Sequence, residues 1–202
     1  MNVELLAYTR NPEYICYLAS RTCRSVDGPI TMNRSYAMTP EMVRGHIQAR
    51  IEEGHLSIFE HASFTFGIEG ISRTCSHQLV RHRIGCSYSQ QSQRSIEPGN
   101  YVIPPTIGTD EHISKAFISA SEAYHALIKG GISMEDARFV LPQAVMTNLV
   151  VTMNARSLMH FFDLRLGEHA QWEIQRLAKL MLTEVTKVAP TIFEGYNYVE
   201  QM

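Results

Sequence analysis

Apolar and polar positions recur along this chain with two periods, one close to two and one close to 3.6, and they divide it into short strands and longer helices. Residues 3–8 are short and apolar enough for a first strand. Asn11 and Pro12 read as an N-cap and a first-turn proline. They open a helix that keeps Tyr14, Tyr17, Leu18 and Arg21 in register to about Arg24. Gly28 and Pro29 break residues 25–37, which read as a loop. Thr39-Pro40-Glu41 repeats the helix-start signal, with Met42, Val43, Ile47 and Ile51 as the apolar stripe and Gly54 as the stop. After a polar–apolar junction at 55–61, residues 62–70 alternate around Phe64, Phe66 and Ile68, which predicts a strand with one face buried.

Ser72 caps a predicted helix from 73 to about 83, and 84–95 read as extended. Pro98, Pro104 and Pro105 make 97–109 a loop. Ile113, Phe117, Ala120, Tyr124 and Leu127 share one side of a helix over 111–129, which Gly130-Gly131 stops. Ser133 caps a short helix, and Pro142 ends the run Phe139, Val140, Leu141. Residues 145–153 are β-branched and apolar and fit either a strand or a buried helix start. Asn154 caps a helix over 155–166, 170–188 form a long amphipathic helix, and Pro190 with Phe193 begins a last short one. No repeat, low-complexity tract or divisive linker interrupts the chain, so residues 1–202 are expected to form one α+β domain.

Composition changes this picture little. Apolar residues make up 45% and charged residues 19%, an ordinary globular mix. The net charge of −2 argues against general nucleic-acid binding, so the arginines matter by position rather than by sum. No apolar run approaches the roughly 20 residues of a membrane span. The start, Met1-Asn2-Val3-Glu4-Leu5, lacks the features of a signal peptide, so a cytoplasmic address is the default. The cysteines at 16, 23, 75 and 86 form no Cys-x-x-Cys pair and read as reduced thiols. His55 and His61 are offset by six residues, which does not bring them to one helix face, and no metal site is expected.

Candidate chemistry concentrates in two stretches. Residues 78–94 carry three arginines, one histidine, four glutamines and three serines in seventeen positions, with no acidic residue. Arginine offers a planar fork of N–H groups that fits phosphate or carboxylate. The amides and hydroxyls can dress the rest of a polar ligand. The same run would also serve as a solvated surface loop, but its unbalanced arginines and apolar flanks speak for binding. The second stretch is 154–165, where Arg156 and His160 stand four apart on one helix face, Arg165 lies near the helix end, and Leu158, Met159, Phe161 and Phe162 supply a buried side. Neither a Gly-x-Gly-x-x-Gly nor a P-loop is present.

Arg81-His82-Arg83 followed by Ser92 and Arg94 resembles the signature of the flavin-dependent thymidylate synthases. Residues 154–165, with His169-Ala170-Gln171-Trp172-Glu173 after them, resemble that family's C-terminal core. The likeness spans roughly 10–195. It departs in the eight residues from Ile84 to Gln91, one more than the family pattern has between arginine and serine, and in Ser95, where an aromatic often stands. The extra residue lies most simply near Gly85-Cys86.

The resemblance implies an antiparallel or mixed sheet with packed helices, a homotetramer with sites shared between subunits, and methylation of dUMP to dTMP. The carbon would come from 5,10-methylenetetrahydrofolate and the reducing power from NADPH through FAD. It further implies that Ser57, Arg81, His82, Arg83, Gln90, Asn154, Ala155, Arg156 and His160 hold FAD, Gln90 standing where some members carry glutamate. Gln78, Leu79, Val80, Arg81, Gln90, Gln91, Ser92, Gln93, Arg94, Arg138 and Arg165 would form the dUMP site. Arg165 would favour ionisation at N3 of the pyrimidine. No enzyme nucleophile is implied, which leaves Cys86 outside the chemistry. A non-catalytic nucleotide- or phosphate-binding protein on the same scaffold, or another flavin-dependent nucleotide modifier, are the rival readings.

Overall fold

Four strands carry the architecture in the computed structural model, which describes residues 1–108 and 111–196. They are β1 (Asn2–Tyr8), β2 (Ser63–Ser72), β3 (Cys86–Gln90) and β4 (Met146–Asn154), in the sheet order β1-β2-β4-β3. The register is antiparallel throughout. Thr9 N donates to Ser63 O at one end of the β1–β2 pair, and Gly70 meets Met1 at the other. Thr65 Oγ1 lies 2.9 Å from Thr152 Oγ1, and Arg73 N donates to Val145 O. Asn154 N donates to Gly85 O, and Gln91 N to Asn148 O. Falling numbers on one strand against rising numbers on its neighbour define antiparallel ladders. Phe64, Phe66 and Ile68 on β2 and Leu149, Val151 and Met153 on β4 are buried at alternate positions. That period of two makes 146–154 a strand and settles the choice the sequence left open.

The chain divides into two compact units, and the strands pass through both. The larger comprises 3–67, 82–88 and 151–196 of the described residues. It holds helices α1 (Pro12–Thr22), α2 (Pro29–Ser35) and α3 (Pro40–Glu52), and a 3-10 segment Leu56–His61. The smaller comprises Met1–Asn2, Ile68–Arg81 and Ser89–Val150. It holds helices α4 (Arg73–Leu79), α5 (Glu111–Lys129) and α6 (Met134–Ala137), followed by a 3-10 turn Arg138–Val140. The larger unit closes with α7 (Ala155–Arg165) and α8 (Trp172–Thr186).

In the larger unit Phe59, Phe161, Phe162, Phe193, Leu177 and Met181 are fully or almost fully buried. Phe162 meets Phe193 edge-on at 5.7 Å. Glu13 on α1 ties down the chain after α8, accepting from Thr191 N at 2.5 Å and from its hydroxyl at 3.0 Å. In the smaller unit Tyr124 of α5 is buried, and Tyr101 stacks on Phe117 at 4.7 Å. Among the described residues no helix is long and apolar enough to cross a membrane.

Several sequence expectations change in detail. Residues 25–37 contain α2, because Pro29 falls at its first turn, where a fixed φ favours helix, and Met32 is buried as its anchor. Asn11 starts α1 with φ 51 and no side-chain cap, a left-handed residue rather than a capping one. Met42 is 52% exposed and drops out of the apolar stripe of α3. Ser133 turns its hydroxyl to Asp136 Oδ2 and leaves the first turn of α6 without a side-chain cap. Helix α4 stops at Leu79, so Arg81-His82-Arg83 lies beyond it rather than in its last turn. Gln171 caps α8, accepting from Glu173 N and Ile174 N. The loop expected over 97–109 holds to 108, and residue 109 lies outside the described residues.

Candidate functional site

In the larger unit α7 organises one cluster. Asn154 accepts from Ser157 N at 2.8 Å and so caps the helix. Ala155 is fully buried and donates its N–H to Ala62 O at 2.8 Å. Arg156 and His160 are exposed one turn apart, as the spacing predicts. Arg156 pairs with Glu60. Ser57 lies in the 3-10 segment and lines a cleft of about 440 Å³ with Arg24, Arg50, His55 and Arg156. Arg50 reaches Glu53 at 2.5 Å, yet its Nε is buried and has no hydrogen-bond partner. A desolvated donor without an acceptor is costly unless a ligand supplies one.

The adjoining face of α7, with Ser157, Phe161 and Arg165, meets the segment after Arg81. His82 is 8% exposed. Its ring lies edge-on to Phe161 at 5.0 Å and to His160 at 6.0 Å. Arg165 Nε donates to His82 Nε2 at 3.1 Å, and Tyr88 Oη donates to the His82 carbonyl at 2.5 Å. Burial first, then the neighbouring Arg165 and His160, push the His82 imidazole down to about 4, so it is neutral at pH 7. Ser157 Oγ donates to Ile84 O at 2.6 Å. Gly85 has φ 66, and a Cβ there would come within 2.3 Å of Asn154 Nδ2. Cys86 donates to Ile84 O, and burial raises its thiol above the usual range.

The smaller unit carries the second cluster, gathered around α6. Arg94 Nη2 pairs with Glu135 at 3.1 Å, and Arg138 Nε donates to the Glu135 carbonyl at 2.9 Å. Ser92 and Arg94 line a cleft of about 290 Å³ with Glu135. Gln93 and Arg138 line another of about 410 Å³ with Arg73 and His77. Burial and the neighbouring Arg138 lower the Arg73 guanidinium, the mark of two cations facing one space. Gln90 Nε2 donates to Thr147 Oγ1 at 3.1 Å, and Gln91 accepts from Asn148 at 3.0 Å. Gln78 and Val80 are half-buried and Arg81 is exposed, but Leu79 is fully buried, so its side chain is core. Among the described residues no cluster of three His, Cys, Asp or Glu could hold a metal ion.

Of the residues lining these clefts, the sequence reading names Ser57, Arg156, Ser92, Gln93, Arg94 and Arg138 but not Arg24, Arg50, Arg73 or His77. Each sits on or beside an ordinary helix. The apolar pattern fixes which face is buried and carries no mark of which exposed cation lines a cleft.

Both clusters pair arginine with hydroxyl or amide donors and use no glycine-rich phosphate loop, a set that suits phosphate or carboxylate groups. The family described as thymidylate synthase complementing protein matches residues 4–191, and this chain belongs to it. The flavin-dependent thymidylate synthase of Geobacter sulfurreducens is 48% identical, covering 96% of this chain and 85% of that protein. That of Sulfurisphaera tokodaii is 47% identical over 96% and 76%. A solved structure of similar fold is the UMP/dUMP methylase PolB from Streptomyces cacaoi bound with 5-Br dUMP. It has a TM-score of 0.85 and 27% identity, covering 96% of this chain and 94% of that one.

Proposed function

We propose that this protein is a flavin-dependent thymidylate synthase. It methylates dUMP to dTMP with carbon from 5,10-methylenetetrahydrofolate and with FAD reduced by NADPH. The observation that carries this reading is the 48% identity, over 96% of the chain, to a protein of that name. The site chemistry supports it. The cleft of Ser57, Arg24, Arg50 and Arg156 has the cationic and hydroxyl donors that the diphosphate of FAD takes, and the buried Arg50 Nε lacks an acceptor that such a group provides. Arg81, Arg83, Gln90, Asn154, Ala155 and His160 complete the cofactor-holding set. Asn154 and Ala155 act there mainly by fixing the start of α7, since Asn154 Oδ1 and the Ala155 N–H are already engaged. When bound, the flavin supplies hydride gained from NADPH.

The nucleotide falls to the smaller unit's residues. Arg94, Arg138, Ser92 and Gln93 fix the phosphate and ring edges of dUMP, with Gln90, Gln91 and Gln78–Arg81 around them. Leu79 contributes through its main chain, its side chain being fully buried. Arg165 stabilises negative charge on the uracil ring and favours ionisation at N3. Cys86 stays outside the chemistry; its raised thiol pKa makes it a poor nucleophile. We read the chain as one functional domain, with its sites completed between subunits of a homotetramer. Ile84, 90% exposed, and Phe139, 83% exposed, support burial of these flanking surfaces in an assembly.

The test is direct. The purified protein should be yellow, bleach with NADPH, and release tritium from [5-³H]dUMP only with methylenetetrahydrofolate. A colourless protein that refuses added FAD would end the proposal. The UMP/dUMP methylase neighbour favours a second reading in which UMP is also accepted. Tritium release from [5-³H]UMP at a rate comparable to that from dUMP would favour it.

A further inference from the structure

We propose that His82 is a positioning residue for Arg165: its Nε2 accepts the Arg165 Nε–H and fixes the guanidinium, leaving both Nη groups for the pyrimidine. The inference rests on the catalytic reading of Arg165 given above and adds the device that aims it. Arg165 is the last residue of α7 and is half-buried. Among the described residues it has no carboxylate ion pair, and its side-chain hydrogen bond is the one to His82 at 3.1 Å. His82 is held on every side that matters. Phe161 and His160 meet the ring edge-on, Tyr88 anchors its carbonyl, and the residue is 8% exposed.

The choice of acceptor has chemical content. A carboxylate would orient the arginine equally well, but it would neutralise the charge that the uracil ring requires. A neutral imidazole orients without cancelling the cation. To accept at Nε2 the ring must carry its proton on Nδ1. Its depressed basicity, near 4, keeps it in that neutral form across the working range. A free arginine side chain samples many rotamers. Restraining it beforehand removes part of the ordering cost from the reacting state. The resemblance to the synthases assigns His82 to the cofactor; the geometry engages its Nε2 with Arg165 instead.

The test compares His82→Leu, His82→Gln, Arg165→Ala and the Leu–Ala double variant, each as flavin-loaded full-length protein. His82→Leu should lower kcat for tritium release on the order of tenfold to a hundredfold, as expected for a lost hydrogen bond to a charged group. Flavin content and the rate of flavin reduction by NADPH without dUMP should be unchanged. His82→Gln, whose amide oxygen can accept, should recover most of kcat. In the Arg165→Ala background the leucine substitution should cost nothing further. Loss of flavin on His82→Leu, or multiplicative losses in the double variant, would overturn the proposal. Nitrogen NMR of the unmodified protein reads the same claim even if the leucine variant does not fold. At neutral pH His82 should be protonated on Nδ1 alone, and an Nε2–H tautomer or an imidazolium would sink the idea. Wild-type protein without flavin or tritium release would instead defeat the activity reading and leave the tautomer measurement standing.

Discussion

At the scale of single residues, chemistry depends on which groups are kept charged and which are kept neutral. Arg165 is a cation without a carboxylate partner among the described residues, and His82 beside it is buried and neutral. Arg165→Ala should lower tritium release from dUMP on the order of a thousandfold, to a residual rate, while flavin absorbance at purification stays close to wild type, since Arg165 is not among the cofactor-holding residues. Cys86→Ala should keep at least half of the wild-type kcat, measured in the same assay, because the raised thiol pKa leaves little thiolate at neutral pH. The neutrality of His82 also has a stability signature. Its folded pKa lies near 4 and its unfolded value near 6.5, so between those values the unfolded chain binds more protons. Stability from this residue is complete above about pH 6.5 and falls as pH drops toward 4, by about 3 kcal/mol at most. Urea unfolding at pH 7 and pH 4.5 should show the fall, and the difference between the two should shrink in His82→Gln. Of these residues the sequence exposed Arg165, His82 and Arg156 through motif and spacing. It could not expose the Arg165–His82 hydrogen bond, because 83 residues separate the partners.

At the scale of elements, the turn that leads into β3 depends on one residue. Helix α4 ends at Leu79 and β3 begins at Cys86, and Gly85 sits just before the strand with φ 66. A left-handed residue there turns the chain so that its carbonyl meets Asn154 N while leaving space for the Asn154 and Ser157 side chains. Gly85→Ala meets two penalties, the positive φ and a Cβ within 2.4 Å of both Asn154 Nδ2 and Ser157 Oγ. It should cost roughly 2 kcal/mol of unfolding free energy, the sum of a left-handed alanine and a disturbed helix cap. Equilibrium denaturation would measure it. Element types were largely legible. Alternating aromatics announced β2, and capping Asn154 announced α7. Helix α2 was not, because Gly28-Pro29, the pair that starts it, is also a common loop signal.

At the scale of the molecule, two units each carry a cluster of arginine, amide and hydroxyl donors, and the Arg81-His82-Arg83 run spans the boundary between their sequences. Exposed Ile84 and Phe139 flank these clusters. If the sites are completed between subunits, the protein should sediment as a tetramer, and Phe139→Asp should shift it toward smaller species while lowering methylation more than flavin reduction. A wild-type monomer with full activity would contradict this. The sequence by itself determined the element periods, the caps and the residue types of both anion-binding runs, because each is written within a few turns or strands of local chain. Only the tertiary structure decided that 146–154 joins the sheet, that Leu79 is core, that Arg50 keeps a buried donor unmet, and that His82 holds Arg165. Those outcomes depend on which distant segments exclude water from one another, and local spacing does not encode that.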